Sequence, residues 1–284
     1  MRTPNFALID ERDLADVREI VETIVDAIGN EQLPSLMLVG ARCRDLLHYA
    51  LGYKDLIRAT QDVDIAISVA GWSVHEQLAQ RFERVGSNGV CFKIAEVPVD
   101  VVPFGEVESP PGTVSRPAAG EGLDVWGFDV AFDKSIEIVR VEETSVRLPT
   151  PLGYSLLKLR AWIDRSSRGQ PKDGPDVGVI MRWATDDQIP LDTEEQIDWY
   201  ESYEGDLELV AVHAWGRAIA REYGDDSAGE LAEGLRSSSL EDLALLIARS
   251  RISAHQSGAQ RVRDRVDESL AALLGGLEPP SRAI

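Results

Sequence analysis

Asp62 and Asp64 stand two residues apart in the run Asp62-Val63-Asp64-Ile65-Ala66-Ile67-Ser68-Val69, where Val63, Ile65, Ile67 and Val69 alternate with smaller or polar residues. Alternation of this kind is the pattern of a strand, and it puts the two carboxylates on one face. A third aspartate, Asp100, lies between Val99 and Val101 in a second strand-like run and faces away from both. Carboxylate oxygens are hard donors. Two from one strand and a third from a neighbour can hold Mg²⁺, or Mn²⁺ in its place, and such ions brace a triphosphate and activate an attacking hydroxyl. An Asp-x-Asp pair alone is common at exposed strand ends, so its meaning depends on what surrounds it.

The elements that must carry these residues can be read from periodicity. Leu14, Val17, Val21, Ile24, Val25 and Ile28 fall at helical spacing, and Gly29 with Asn30 suits a stop. Residues 35–39 form a short apolar run ending at Gly40, and 41–51 have helical composition, which predicts strand, tight turn, helix. Glycine allows close backbone approach and a helix N-terminus favours anions, so the Gly40-Ala41 turn is a candidate phosphate seat. A polar connection then leads to the Asp62 strand. A helix is expected over 73–84 and strands over 90–94 and 97–102, with Pro98 weakening the start of the second.

Residues 105–122, rich in Pro, Gly and Ser, read as a long loop, and 128–132, 136–141 and 145–148 as further strands. Thr150 is a plausible N-cap with Pro151 in the first turn. Beyond it the pattern is helical, with helices expected near 177–184, 193–203, 206–223, 240–248 and 262–274. The expected fold class is α+β, with a mixed-sheet domain over 1–149 and a helical C-terminal domain over 150–284.

Composition narrows the function classes. With 284 residues and 44% hydrophobic content the chain can bury a real core. It has no run of about 20 apolar residues to cross a bilayer and no apolar centre of a secretory signal, so a cytoplasmic protein without a membrane partner is expected. Cys43 and Cys91 suit two reduced, packed thiols. His48, His75, His213 and His255 have no metal-ligand spacing, and no serine or cysteine stands in a nucleophile motif. A net charge of -20 repels polyanions, so any nucleic-acid contact must be local. Basic residues do gather at Arg42, Arg44, Lys54 and Arg58, and at Lys158, Arg160, Arg165, Arg168 and Lys172.

An apolar strand ending in Gly40, then Asp62-Val63-Asp64 on a strand, then Val99-Asp100-Val101, resembles the polymerase-beta nucleotidyltransferase superfamily. The fuller pattern Gly40-Ala41-Arg42-Cys43-Arg44-Asp45, followed by Arg58-Ala59-Thr60-Gln61-Asp62-Val63-Asp64, resembles its AbiEii branch, which includes the MenT-type toxins of toxin-antitoxin systems. In that branch a helical lysine, an arginine and a Lys-Asp-x-x-Asp element follow. Here they match Lys158, Arg165 and Lys172-Asp173-Gly174-Pro175-Asp176.

The resemblance implies a polymerase-beta-like domain with Asp62, Asp64 and Asp100 as metal ligands and Lys158 on the triphosphate. Asp173 and Asp176 would orient basic residues or line the nucleotide pocket, to which Gly40, Ala41, Arg44, Thr60 and Arg165 would also belong. Ala41 departs from the superfamily's usual Gly-Ser or Gly-Gly, so phosphate contact at the turn falls to the backbone or to Arg42 and Arg44. Thr60 is a candidate control point, because a phosphate there adds about two negative charges beside bound triphosphate. The plainer readings are a solvated lysine for Lys158, helix caps for Asp173 and Asp176, and a polar turn residue for Thr60.

The function implied is transfer of a nucleotide from an NTP to an RNA 3′ end, the tRNA acceptor end above all, blocking translation as a toxin with a cognate antitoxin as possible partner. The two basic clusters would supply a local groove for the RNA. Nucleotidylation of a small molecule such as an aminoglycoside, or of a protein, is the alternative, and an acidic pocket suits a cationic acceptor. A binding module without turnover is the third, since fold does not fix function.

Overall fold

The computed structural model describes residues 2–55, 62–115, 122–139, 145–187, 189–251 and 259–279. The chain divides into two compact units, Thr3–Tyr154 and Ser155–Ile284 with the first two residues. The first is α+β and the second helical.

The first unit opens with α1, Glu11–Ile28, capped by Asp10, whose side chain accepts from the Arg12 N–H. Its apolar stripe, from Leu14 to Ile28, is buried, and it stops at Gly29. There follow β1 (Leu36–Val39), α2 (Gly40–Ala50), β2 (Val63–Val69), α3 (Ser73–Arg81), β3 (Cys91–Ile94) and β4 (Val97–Gly105). Next come β5 (Thr113–Ser115), β6 (Gly122–Asp124), α4 (Phe128–Asp133), β7 (Ile136–Val139) and β8 (Ser145–Leu148). Six strands form one mixed sheet in the order β3-β4-β2-β1-β8-β7. The β2/β4 and β1/β8 pairs are parallel and the rest antiparallel. Val63, Ile65, Ile67 and Val69 of β2 are buried beside Val99 and Val101 of β4, which accounts for the alternation in sequence.

Pro98 is accommodated because pairing of β4 with β2 starts only at Val99, while Pro98 faces Lys93 of β3. A proline lacks the N–H of a ladder bond and is tolerated where that bond is not needed. Two expectations are corrected. The stretch expected as a loop over 105–122 contains the hairpin strand β5, paired with β6. Residues 128–132, expected as a strand, form the helix α4. Phe128 and Phe132 lie one helical turn apart, and both rings pack on Phe104 of β4, at 5.9 and 5.5 Å.

The second unit is built from α5 (Pro151–Ser166, which begins in the first unit), α6 (Gly174–Thr185), α7 (Glu194–Ser202), α8 (Leu207–Tyr223), α9 (Asp225–Ser237), α10 (Leu240–Arg251) and α11 (Ala259–Leu277). Thr150 does cap α5: its Oγ1 accepts from the Gly153 N–H at 3.0 Å. Helix α9 has no counterpart in the sequence reading. Helices α8 and α11 pack closely, and a Cβ on Gly276 would overlap the His213 carbonyl oxygen. The core holds Trp162, Trp183 and Trp215, with Trp215 Nε1 donating to Ser155 Oγ at 3.1 Å. Among the described residues no helix is long and apolar enough to cross a membrane.

Candidate active site

Asp64 and Asp100 are direct lateral partners in the parallel β2/β4 pair. Neighbouring strands run about 4.8 Å apart and lateral partners project to the same face, so the two carboxylates stand side by side. Both are half-buried, flanked on the opposite face by Val63, Ile65, Val99 and Val101. Asp62 immediately precedes β2 and is exposed.

Across β2 on its other edge, Val39 at the end of β1 is the register partner of Asp64. The chain then turns into α2 through Gly40, whose φ is +67°. A side chain at Gly40 would run into the carboxylate of Asp64, so the turn and the acid fit each other only with glycine there. Asp64 thus lies against the N-terminal end of α2, where Val39 offers no side-chain cap and the helix dipole favours negative charge.

Cys91 of β3 is the register partner of Asp100 on its second side. Burial above all, and then the neighbouring Asp100 carboxylate with the charges of Asp62 and Asp64, push its thiol up to about 12. Cys91 is therefore a neutral thiol, and its environment shows that the three aspartates share one neighbourhood. A cleft of about 260 Å³ opens beside them, lined by Asp62, Val85, Gly86, Ser87, Asn88, Cys91, Pro98 and Asp100. None of these residues is basic.

Whether this site suits a divalent cation is decided by its donors. The set is all carboxylate oxygen, as hard Mg²⁺ or Mn²⁺ requires. Among the described residues, however, no three His, Cys, Asp or Glu side chains are arranged as a ready-made metal cluster. Mg²⁺ is commonly held by one or two carboxylates completed by substrate phosphates and water, and the Asp64/Asp100 pair fits that arrangement.

The remaining expected residues fall elsewhere. In α2, Ala41 is half-buried, Arg42 donates to the Asp13 carbonyl at 2.9 Å and to Asp16 Oδ1 at 2.6 Å, and Arg44 is buried with its guanidinium on Asp45 at 2.7 and 2.9 Å. Both arginines thus serve carboxylates of the first unit. Thr60 and Arg58 lie outside the described residues.

In the second unit, Lys158, Arg165, Asp173 and Asp176 come together. Lys158 Nζ lies 3.1 Å from Asp173 Oδ1 and 2.6 Å from Asp176 Oδ2, and Arg165 Nη1 is 2.9 Å from Asp173 Oδ2. Asp173 is only 2% exposed. It occupies the N-cap position of α6 without a side-chain cap bond, so the plain capping reading is corrected: its carboxylate is spent on the two cations. The solvated reading of Lys158 is corrected as well, since its side chain is 12% exposed. Other basic residues of this segment are also paired, Arg160 with Glu230 and Arg168 with Asp164.

One residue of the site escaped the sequence reading. Asn88, in the loop before β3, donates from Nδ2 to Asp100 Oδ1 at 2.9 Å. A loop asparagine carries no periodic signal, and nothing in its neighbours marks it. Compared with family models and with curated proteins, the chain matches none.

Proposed function

We propose that the chain is a divalent-metal-dependent nucleotidyltransferase of polymerase-beta-like fold. The observation that carries the reading is the lateral pairing of Asp64 with Asp100, with Gly40 leaving room for the Asp64 carboxylate at the head of α2. Asp62, Asp64 and Asp100 would hold the cation, which when bound neutralises triphosphate charge and lowers the barrier to attack by an acceptor hydroxyl. The residues themselves present fixed negative charge beside a helix N-terminus. The space beside Gly40 is taken up by the Asp64 carboxylate, so a phosphate at the head of α2 would be drawn there by the cation that the acid holds. Lys158 and Arg165 are counter-charges ordered by Asp173 and Asp176, which supports the orienting role that the resemblance implies for those two acids.

The acceptor proposed is an RNA 3′ end, that of tRNA, in the cytoplasm, with growth inhibition as the outcome and an antitoxin as partner. This rests on the resemblance to AbiEii and MenT-type proteins. A small cationic acceptor is the second reading, favoured by one observation: the described lining of the cleft holds Asp62 and Asp100 and no basic residue.

The test is incubation of the pure protein with Mg²⁺, each of the four labelled NTPs and total RNA, beside Asp62→Ala and Asp64→Ala and a parallel set of aminoglycosides. Label in tRNA that disappears in both variants supports RNA transfer. Label on an aminoglycoside alone supports the second reading, and no label on any acceptor sinks the enzyme.

A further inference from the structure

We infer that Asn88 is a positioning residue that fixes the Asp100 carboxylate for a divalent cation, an inference that rests on the metal-dependent reading of Asp62, Asp64 and Asp100. The loop before β3 is closed at its base by the Val85 N–H donating to the Cys91 carbonyl at 3.0 Å. Inside it, Asn88 Oδ1 accepts from the Val90 N–H at 3.2 Å and the Cys91 N–H at 2.9 Å. Two backbone donors on one end of the amide settle which end is the carbonyl. The other end must therefore be the NH₂ group, and it is turned to Asp100 Oδ1 at 2.9 Å.

An aspartate turns about two side-chain bonds, and solvent leaves a half-buried one several orientations. Here one oxygen is tied to a donor that is itself held by two backbone groups. Cys91 flanks the same carboxylate from the register-partner position. The carboxylate is thus oriented before any ligand arrives, and partners that orient a ligating group typically contribute 10–100-fold in metal affinity.

Asn88 also shapes its own loop, and the two roles can be separated. A serine keeps a side-chain acceptor for N–H groups two and three residues on, as in a serine turn, but is too short to reach Asp100. Binding of Mn²⁺ alone is followed by loss of the free-ion EPR signal for the full chain, Asn88→Ser, Asn88→Ala and Asp100→Ala, with thermal melting alongside. Asn88→Thr replaces the serine variant should the latter melt early.

The expected result is Mn²⁺ binding roughly tenfold or more weaker in Asn88→Ser at a nearly unchanged melting temperature, with Asp100→Ala weaker still. Wild-type binding by Asn88→Ser together with loss in Asp100→Ala overturns the role of Asn88 and leaves the metal-dependent reading standing. Binding that is the same with and without the Asp100 carboxylate overturns both.

Discussion

The Asp64 carboxylate occupies the space that a side chain at Gly40 would need, so strand β2 and the turn between β1 and α2 constrain each other through these two residues. The acid is held where it is by a missing side chain.

Gly40→Ala tests this coupling. An alanine with the left-handed backbone of Gly40 costs about 1–2 kcal/mol, and its methyl group must also displace the Asp64 carboxylate. Urea denaturation should show a loss of that order, while labelled-NTP transfer falls further than the lost folded fraction explains. Full transfer by this variant would show that the position of Asp64 at the turn is dispensable.

Asp64→Asn and Asp100→Asn should behave oppositely in stability and activity. Each removes one of two like charges held side by side, so melting temperature should hold or rise. Transfer should fall by roughly 10²-fold or more, the scale for losing a group that stabilises transition-state charge. A variant that melts lower and transfers normally would make the pair structural.

Asp173→Asn should be costly in a different way. It leaves Lys158 on Asp176 alone and Arg165, itself partly exposed, facing a neutral group, so the loss should fall short of the about 3–5 kcal/mol typical of breaking a fully buried pair but exceed about 1 kcal/mol. Chemical denaturation of the full chain reads this directly. A change under about 1 kcal/mol would mean that water already screens the cluster, as at an exposed pair.

His213 supplies a pH signature. Burial is the main cause that lowers it to about 4, and its Nδ1 lies 3.0 Å from Tyr203 Oη. Below the ordinary histidine value of about 6.5 the unfolded chain takes up the proton and the folded chain does not. Stability attributable to His213 is therefore complete above about 6.5 and is lost as pH falls towards 4. Melting curves across this range should fall less steeply for His213→Gln than for the wild type; parallel curves would refute the assignment.

The sheet that carries the acids was legible because burial on one face forces an alternation that a short strand cannot hide. Val63, Ile65, Val99 and Val101 show it, and Gly40 shows where β1 ends. Helix α4 was misread because Phe128, Ala131 and Phe132 satisfy strand composition as well as helical spacing. Helix α9 was missed because its buried stripe, Ala228, Leu231, Ala232 and Leu235, is half alanine and is interrupted by acids and glycines.

Ion pairing was less legible still. Arg160 meets Glu230 seventy residues away, and no local pattern announces such a partner. The basic clusters therefore read as an open groove in sequence, whereas Arg42, Arg44, Lys158, Arg160, Arg165 and Arg168 all lie on carboxylates. Asn88 was invisible for a related reason: its role exists only once the loop closes over β4.

The parallel pairing of β2 with β4 has a consequence for how the protein comes into being. Parallel neighbours need a crossover, here through α3 and β3, and the entropy of closing it is lost before the pairing contacts form. Asp64 and Asp100 accordingly meet late. Until the strand ending at Gly105 has docked on β2, the chain holds both aspartates but not the pair.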